Sequence, residues 1–83
     1  MMKIHFYHVS DCHLCEDMGQ RLTALAAELG FEIVPINIET DEDLCERYGL
    51  KIPLLVLDGE EICYHRLDET EFRRRLGAKK VTR

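Results

Sequence analysis

No run of apolar residues in this chain approaches the roughly eighteen that cross a membrane, so neither a spanning protein nor a membrane partner is expected. The opening residues Met1-Met2-Lys3-Ile4-His5 lack the long apolar segment and small-residue cleavage site of a secretory signal, and the expected location is cytoplasmic. Repeats, linkers and low-complexity segments are also missing. Eighty-three residues leave no room for a second core, so residues 1–83 are expected to form one monomeric domain, with residues 78–83 as a flexible tail.

What is present reads as an ordinary folding chain, 33% charged and 46% hydrophobic. The net charge of −5 is unevenly spread: residues 1–65 carry 4 basic and 13 acidic side chains, residues 66–83 carry 7 basic and 3 acidic. The basic end (Arg73, Arg74, Arg75, Lys79, Lys80 and Arg83) falls largely in the last turn of an expected helix or beyond it. Cations there suit the helix dipole, and no nucleic-acid partner is expected. Four cysteines without a secretory signal point to catalytic or metal-bound thiols rather than to a disulfide framework.

Residues 3–9 are rich in β-branched and aromatic types and run into Ser10-Asp11, which reads as a strand followed by a turn or helix cap. Leu14, Met18, Leu22, Leu25 and Leu29 then recur at helical spacing up to a stop at Gly30. Residues 31–38 form a second strand, placed at a sheet edge by Pro35. Thr40 caps a short helix carrying Leu44 and Tyr48 and ending at Gly49. The continuous apolar run at residues 54–57 is a strand covered on both faces, and Asp58-Gly59 turns it into an antiparallel neighbour at residues 61–65. Asp68 with Glu71 forms a capping box, Leu67 staples to Phe72, and the last helix ends at Gly77. The class is α/β, in the order β-α-β-α-β-β-α, with a four-stranded mixed sheet and helices on both faces.

Cys12-His13-Leu14-Cys15 falls where the first strand turns into the first helix. A spacing of three makes the two side chains neighbours on one turn, roughly 5–6 Å apart, within the separation a disulfide needs. Unpaired N–H groups and the positive end of the dipole stabilise a thiolate there. Cys12, nearer the helix end and more exposed, is the expected attacking thiol and Cys15 the resolving one, with no cofactor beyond an external reductant. The bland alternative is two cysteines close by coincidence, one of them simply core.

With Cys12-His13-Leu14-Cys15 and Lys51-Ile52-Pro53-Leu54-Leu55 in place, the chain resembles the thioredoxin superfamily over about residues 3–76. Within it, the chain is most similar to small glutaredoxin-like proteins with a Ser-x-Cys-His-Leu-Cys opening, here Ser10 to Cys15, and a Tyr-Gly-x-x-Ile-Pro stretch, here Tyr48 to Pro53. The resemblance implies a thioredoxin-like fold and a thiol-disulfide oxidoreductase acting on a small thiol or a protein disulfide. It also implies a cis Ile52–Pro53 bond facing the dithiol, with His13, Leu14, Ile52 and Pro53 contacting substrate. On the residues alone, a trans proline at a strand start is the favoured form, and the resemblance is what turns the expectation to cis.

The chain departs from the glutathione-using pattern in two places. Asp11 precedes Cys12 where a basic residue is usual, and Tyr64-His65-Arg66-Leu67-Asp68 has no Gly-Gly pair to let a ligand approach the backbone. Asp11, Glu16 and Asp17 oppose a thiolate at Cys12, whereas a protonated His13 favours it; His13 reads as a tuning side chain rather than a general base. Cys45 and Cys63 make no second C-x-x-C and are expected to be buried and inert. Two other readings compete: a metal or iron–sulfur site on Cys12, Cys15 and the remaining cysteines or a histidine, and a non-enzymatic adaptor that would survive loss of both motif cysteines.

Overall fold

A computed structural model describes residues 1–81, in the order β1 (Lys3–His8), α1 (His13–Leu29), β2 (Glu32–Asn37), α2 (Glu42–Tyr48), β3 (Leu54–Leu57), β4 (Glu60–Tyr64) and α3 (Glu69–Val81). The strands form one mixed sheet in the order β2-β1-β3-β4. β1 runs parallel to β2 and antiparallel to β3, and β3 pairs antiparallel with β4. Pro35 therefore sits on an edge strand, where its missing N–H leaves no gap in a central ladder. Asp58 and Gly59 both adopt positive φ, 51° and 79°, the pair of left-handed residues a tight hairpin requires.

Side-chain alternation divides the sheet between two layers. Ile4 and Phe6 of β1, with Leu55 and Leu57 of β3, meet Met18, Leu22 and Leu25 of α1 and Phe72 and Leu76 of α3 in the main core. Phe31 and Phe72 pack edge to face at 5.4 Å between centroids, which fixes the start of β2 against α3. Tyr7, which follows Phe6 and alternates with it, points to the other layer and packs on Tyr48 of α2 at 4.8 Å. Its partial burial among these groups raises the phenol above its ordinary value. Arg21 makes two hydrogen bonds to Glu69, and Arg73 two to Glu28, so the solvent faces of α1 and α3 are tied across the core they cover. Arg74 and Arg75 both engage Glu71, so three arginines of the basic end are held by carboxylates of the chain itself.

Several boundaries differ from the sequence expectation, each for a local reason. The cap of α2 is Asp41 rather than Thr40; its carboxylate accepts the Leu44 N–H at 3.1 Å, and a carboxylate serves the N-cap at least as well as a threonine hydroxyl. Ser10 and Asp11 form the turn, and Cys12 itself caps α1. The helix α3 continues past Gly77 to Val81, because one glycine weakens a helix without ending it when no left-handed residue follows. Residues 82–83 of the expected tail lie outside the described residues. Asp68 accepts the Glu71 N–H at 3.1 Å, and Leu67 is half-buried against the cluster holding Phe72, as the staple requires.

Candidate active site

The turn after β1 aims the chain into α1 through Asp11, whose φ of 53° is a left-handed conformation that aspartate tolerates better than most residues. Cys12 follows in extended conformation as N-cap, and its Sγ accepts the backbone N–H of Cys15 at 3.1 Å. The two cysteines form a disulfide, with Cα atoms 5.1 Å apart. Cys15 is only 5% exposed and belongs to the core cluster, while Cys12 is half-buried at its margin. One sulfur is thus open to a partner and the other shielded, and the same N–H would stabilise a thiolate on Cys12 once the bond is reduced.

Leu14 is not on the buried stripe. It is 44% exposed, and the stripe begins at Cys15, continuing through Met18, Leu22 and Leu25. Angular position alone would bury Leu14, but its side borders an open groove of about 310 Å³ between α1 and the loop joining β4 to α3, lined also by Met18, His65, Arg66 and Leu67. The His13 side chain is 85% exposed, with Nδ1 4.0 Å from Glu16 and Nε2 3.7 Å from Asp17. It faces the carboxylates of the next turn.

Ile52–Pro53 is cis. The pairing of Tyr7 with Leu54 brings this dipeptide to the end of the sheet from which β1 enters the Cys12 turn. Among the described residues none hydrogen-bonds to the backbone of Ile52, whereas Pro53 accepts the His65 N–H at 2.8 Å. His65 also contacts the Leu50 carbonyl through Nε2 at 2.8 Å, which assigns Nε2 as the protonated nitrogen. His65, with φ 68°, therefore ties the segment before β3 from two sides. No sequence pattern marks it, because its role depends on a left-handed backbone and on contacts fifteen residues away.

Cys45 and Cys63 stand apart from the dithiol and are not disulfide-bonded. Cys45 is exposed, contrary to expectation, because α2 buries none of its residues; the thiol donates to the Ile38 carbonyl at 3.0 Å. Cys63 is half-buried in β4, and that burial pushes its thiol up. Among the described residues no group of three or more His, Cys, Asp or Glu side chains is gathered as a metal ion would need, so neither Cys45, Cys63 nor a histidine joins Cys12 and Cys15 in such a group. No described helix is long and apolar enough to cross a membrane.

A cavity of about 520 Å³ opens beside the dithiol, between α1 and the β2 edge. Cys12 and Cys15 line it together with Asp11, Glu16, Phe6 and Pro35. Phe6, Ile33, Pro35 and Thr23 come from three separate elements, so only the tertiary structure assembles this wall.

A sheet of order β2-β1-β3-β4 with helices on both faces, a dithiol at the start of α1 and a cis-proline before β3 defines a thioredoxin-like domain. The chain matches the Glutaredoxin-like domain (DUF836) family over residues 3–77, and it belongs to that family. Protein Ne2328 of Nitrosomonas europaea, solved in solution, is 32% identical with a TM-score of 0.81, the match covering 89% of each chain. An uncharacterized protein of Mycobacterium tuberculosis is 30% identical over 75% of this chain and 69% of its own. Thioredoxin 1 of Thermosipho africanus has the same fold, with a TM-score of 0.66 at 17% identity over 95% of this chain and 99% of its own.

Proposed function

We propose that this chain is a thiol–disulfide oxidoreductase that exchanges the Cys12–Cys15 pair with a small thiol or a protein disulfide. The observation that carries this reading is the asymmetry of the pair: a half-buried Cys12 receiving a backbone N–H at the helix start, and a buried Cys15 within bonding reach. In the reduced protein the Cys12 thiolate attacks a substrate disulfide, forms a mixed disulfide and releases one thiol. Cys15 then attacks Cys12 Sγ, closes the Cys12–Cys15 bond and releases the second thiol. Two electrons pass to the substrate, the two protons go to the released thiols, and an external thiol restores the dithiol. No further cofactor is needed.

Substrate contact is assigned to His13, Leu14, Ile52 and Pro53. The unpaired backbone of Ile52 supports pairing with an extended partner segment, and exposed Leu50 (91%) and Tyr64 (48%) flank the same end of the sheet. Two cysteines free of disulfides support a cytoplasmic setting. The test is reduction of a model disulfide by the reduced protein. Cys12→Ser is expected to abolish it, and Cys15→Ser to accumulate a mixed disulfide detectable by mass. Full activity in Cys12→Ser would refute the reading.

A further inference from the structure

The cavity beside the dithiol has a marked charge character. Its walls are largely apolar, with Phe6, Val9, Ile33 and Pro35 among them, and its carboxylates are Asp11 and Glu16; among the described residues no lysine or arginine lines it. Asp11 makes no ion pair among the described residues, and the partner of Glu16 is His13, 4.0 Å away. Just outside, the Ser10 side chain, the Ser10 N–H at 2.8 Å and Asn37 at 2.9 Å hold the Glu39 carboxyl below the ordinary range and keep it charged. The nearby cations are turned elsewhere: Arg21 is bound to Glu69, and it lines the separate groove with Arg66. Among the described residues, His8 is the one basic side chain lining the cavity.

Resting on the exchange reaction proposed above, we propose that this cavity seats the group carried by the substrate sulfur and selects an ammonium-bearing aminothiol over a carboxylate-bearing thiol such as glutathione. The apolar walls receive the short methylene stem next to the sulfur, and Asp11 and Glu16 face the ammonium. When Cys12 attacks an aminothiol disulfide, one aminothiol leaves as thiolate and takes up a proton, while the other remains on Cys12 Sγ inside the cavity. Attack by Cys15 breaks that bond, closes the protein disulfide and releases the second aminothiol.

The size of the preference follows from Coulomb's law. A charge about 6 Å from one carboxylate in water-like dielectric shifts an equilibrium roughly three-fold, so two carboxylates give about ten-fold for a cation and disfavour an anion similarly. Salt near 1 M contracts the screening length to about 3 Å and removes most of this.

The test is the rate at which cystamine and oxidised glutathione oxidise the reduced protein, each divided by its rate with dithiothreitol. It is run near pH 8, above the range where histidine carries charge. At low ionic strength the normalised rate for cystamine should exceed that for oxidised glutathione by at least about ten-fold. The ratio should fall toward one in high salt, and several-fold in Asp11→Asn with Glu16→Gln; asparagine retains the left-handed turn at residue 11. A ratio near one at low salt, a ratio favouring oxidised glutathione, or one indifferent to both substitutions overturns this inference while leaving exchange intact. Failure of both disulfides to oxidise the pair overturns this inference, and failure of a protein disulfide as well overturns the exchange reading itself.

Discussion

Reducing the Cys12–Cys15 bond should destabilise the domain by a modest, calculable amount. The bond joins residues separated by 3 in sequence. A closed loop of about four residues removes unfolded-chain entropy worth about 2 kcal/mol at 25 °C. A chain of 83 residues has a total stability of ~4–12 kcal/mol, so the change is a visible fraction of it. At about 4–8 °C per kcal/mol for a domain of this size, the melting temperature should fall by about 8–16 °C on reduction. One contribution opposes this: a reduced Cys12 still caps α1 through the Cys15 N–H, and as a thiolate it accepts that bond more strongly. Circular-dichroism melts of oxidised and phosphine-reduced protein at pH 5 and pH 8 separate the two effects, because at pH 5 an ordinary thiol is protonated and only chain entropy remains. The gap should be larger at pH 5. A reduced form melting at or above the oxidised form at pH 5 would refute the entropic reasoning, and a gap that widens toward pH 8 would refute the role given to the Cys15 N–H.

Phe72 is fully buried and packed edge to face on Phe31, so Phe72→Ala should cost about 3–5 kcal/mol in chemical denaturation; a loss below about 1 kcal/mol would mean the α3 contact is not part of the core. Glu71 is held at about 2, below its ordinary 4.5, chiefly by hydrogen bonds from Arg74 and Arg75. Its folded-state value is depressed, so its stabilisation is complete above about pH 4.5 and lost as pH falls toward 2. Glu71→Gln should therefore flatten the melting-temperature decline within that window, and an unchanged decline would assign acid lability elsewhere. With the dithiol oxidised, iodoacetamide should label exposed Cys45 well before Cys63, whose thiol burial pushes up; peptide mapping that found the reverse order would contradict the placement of β4.

Much of the fold was legible in the chain because its signals are local. A proline in the second apolar run assigned an edge strand, an Asp-Gly pair assigned a hairpin, and a four-residue apolar run assigned a strand buried on both faces. The dithiol was legible for the same reason, since a spacing of three at a strand-to-helix junction dictates proximity without help from the rest of the molecule. Errors arose where a residue's fate depended on what lies opposite it. Leu14 fits the apolar stripe by angle yet borders an open groove, and Cys45 fits the habits of a small apolar residue yet sits on a helix that buries nothing.

Order along the chain, the sheet's alternation and the pairing of Cys12 with Cys15 are thus written in the sequence, because each follows from backbone periodicity and turn chemistry over a few residues. The tie from His65 to the segment before β3 and the acidic cavity joining α1 to the β2 edge were decided by tertiary structure alone. Each brings together groups distant in sequence, and only the packing of the finished sheet and helices sets which of them meet and which face water.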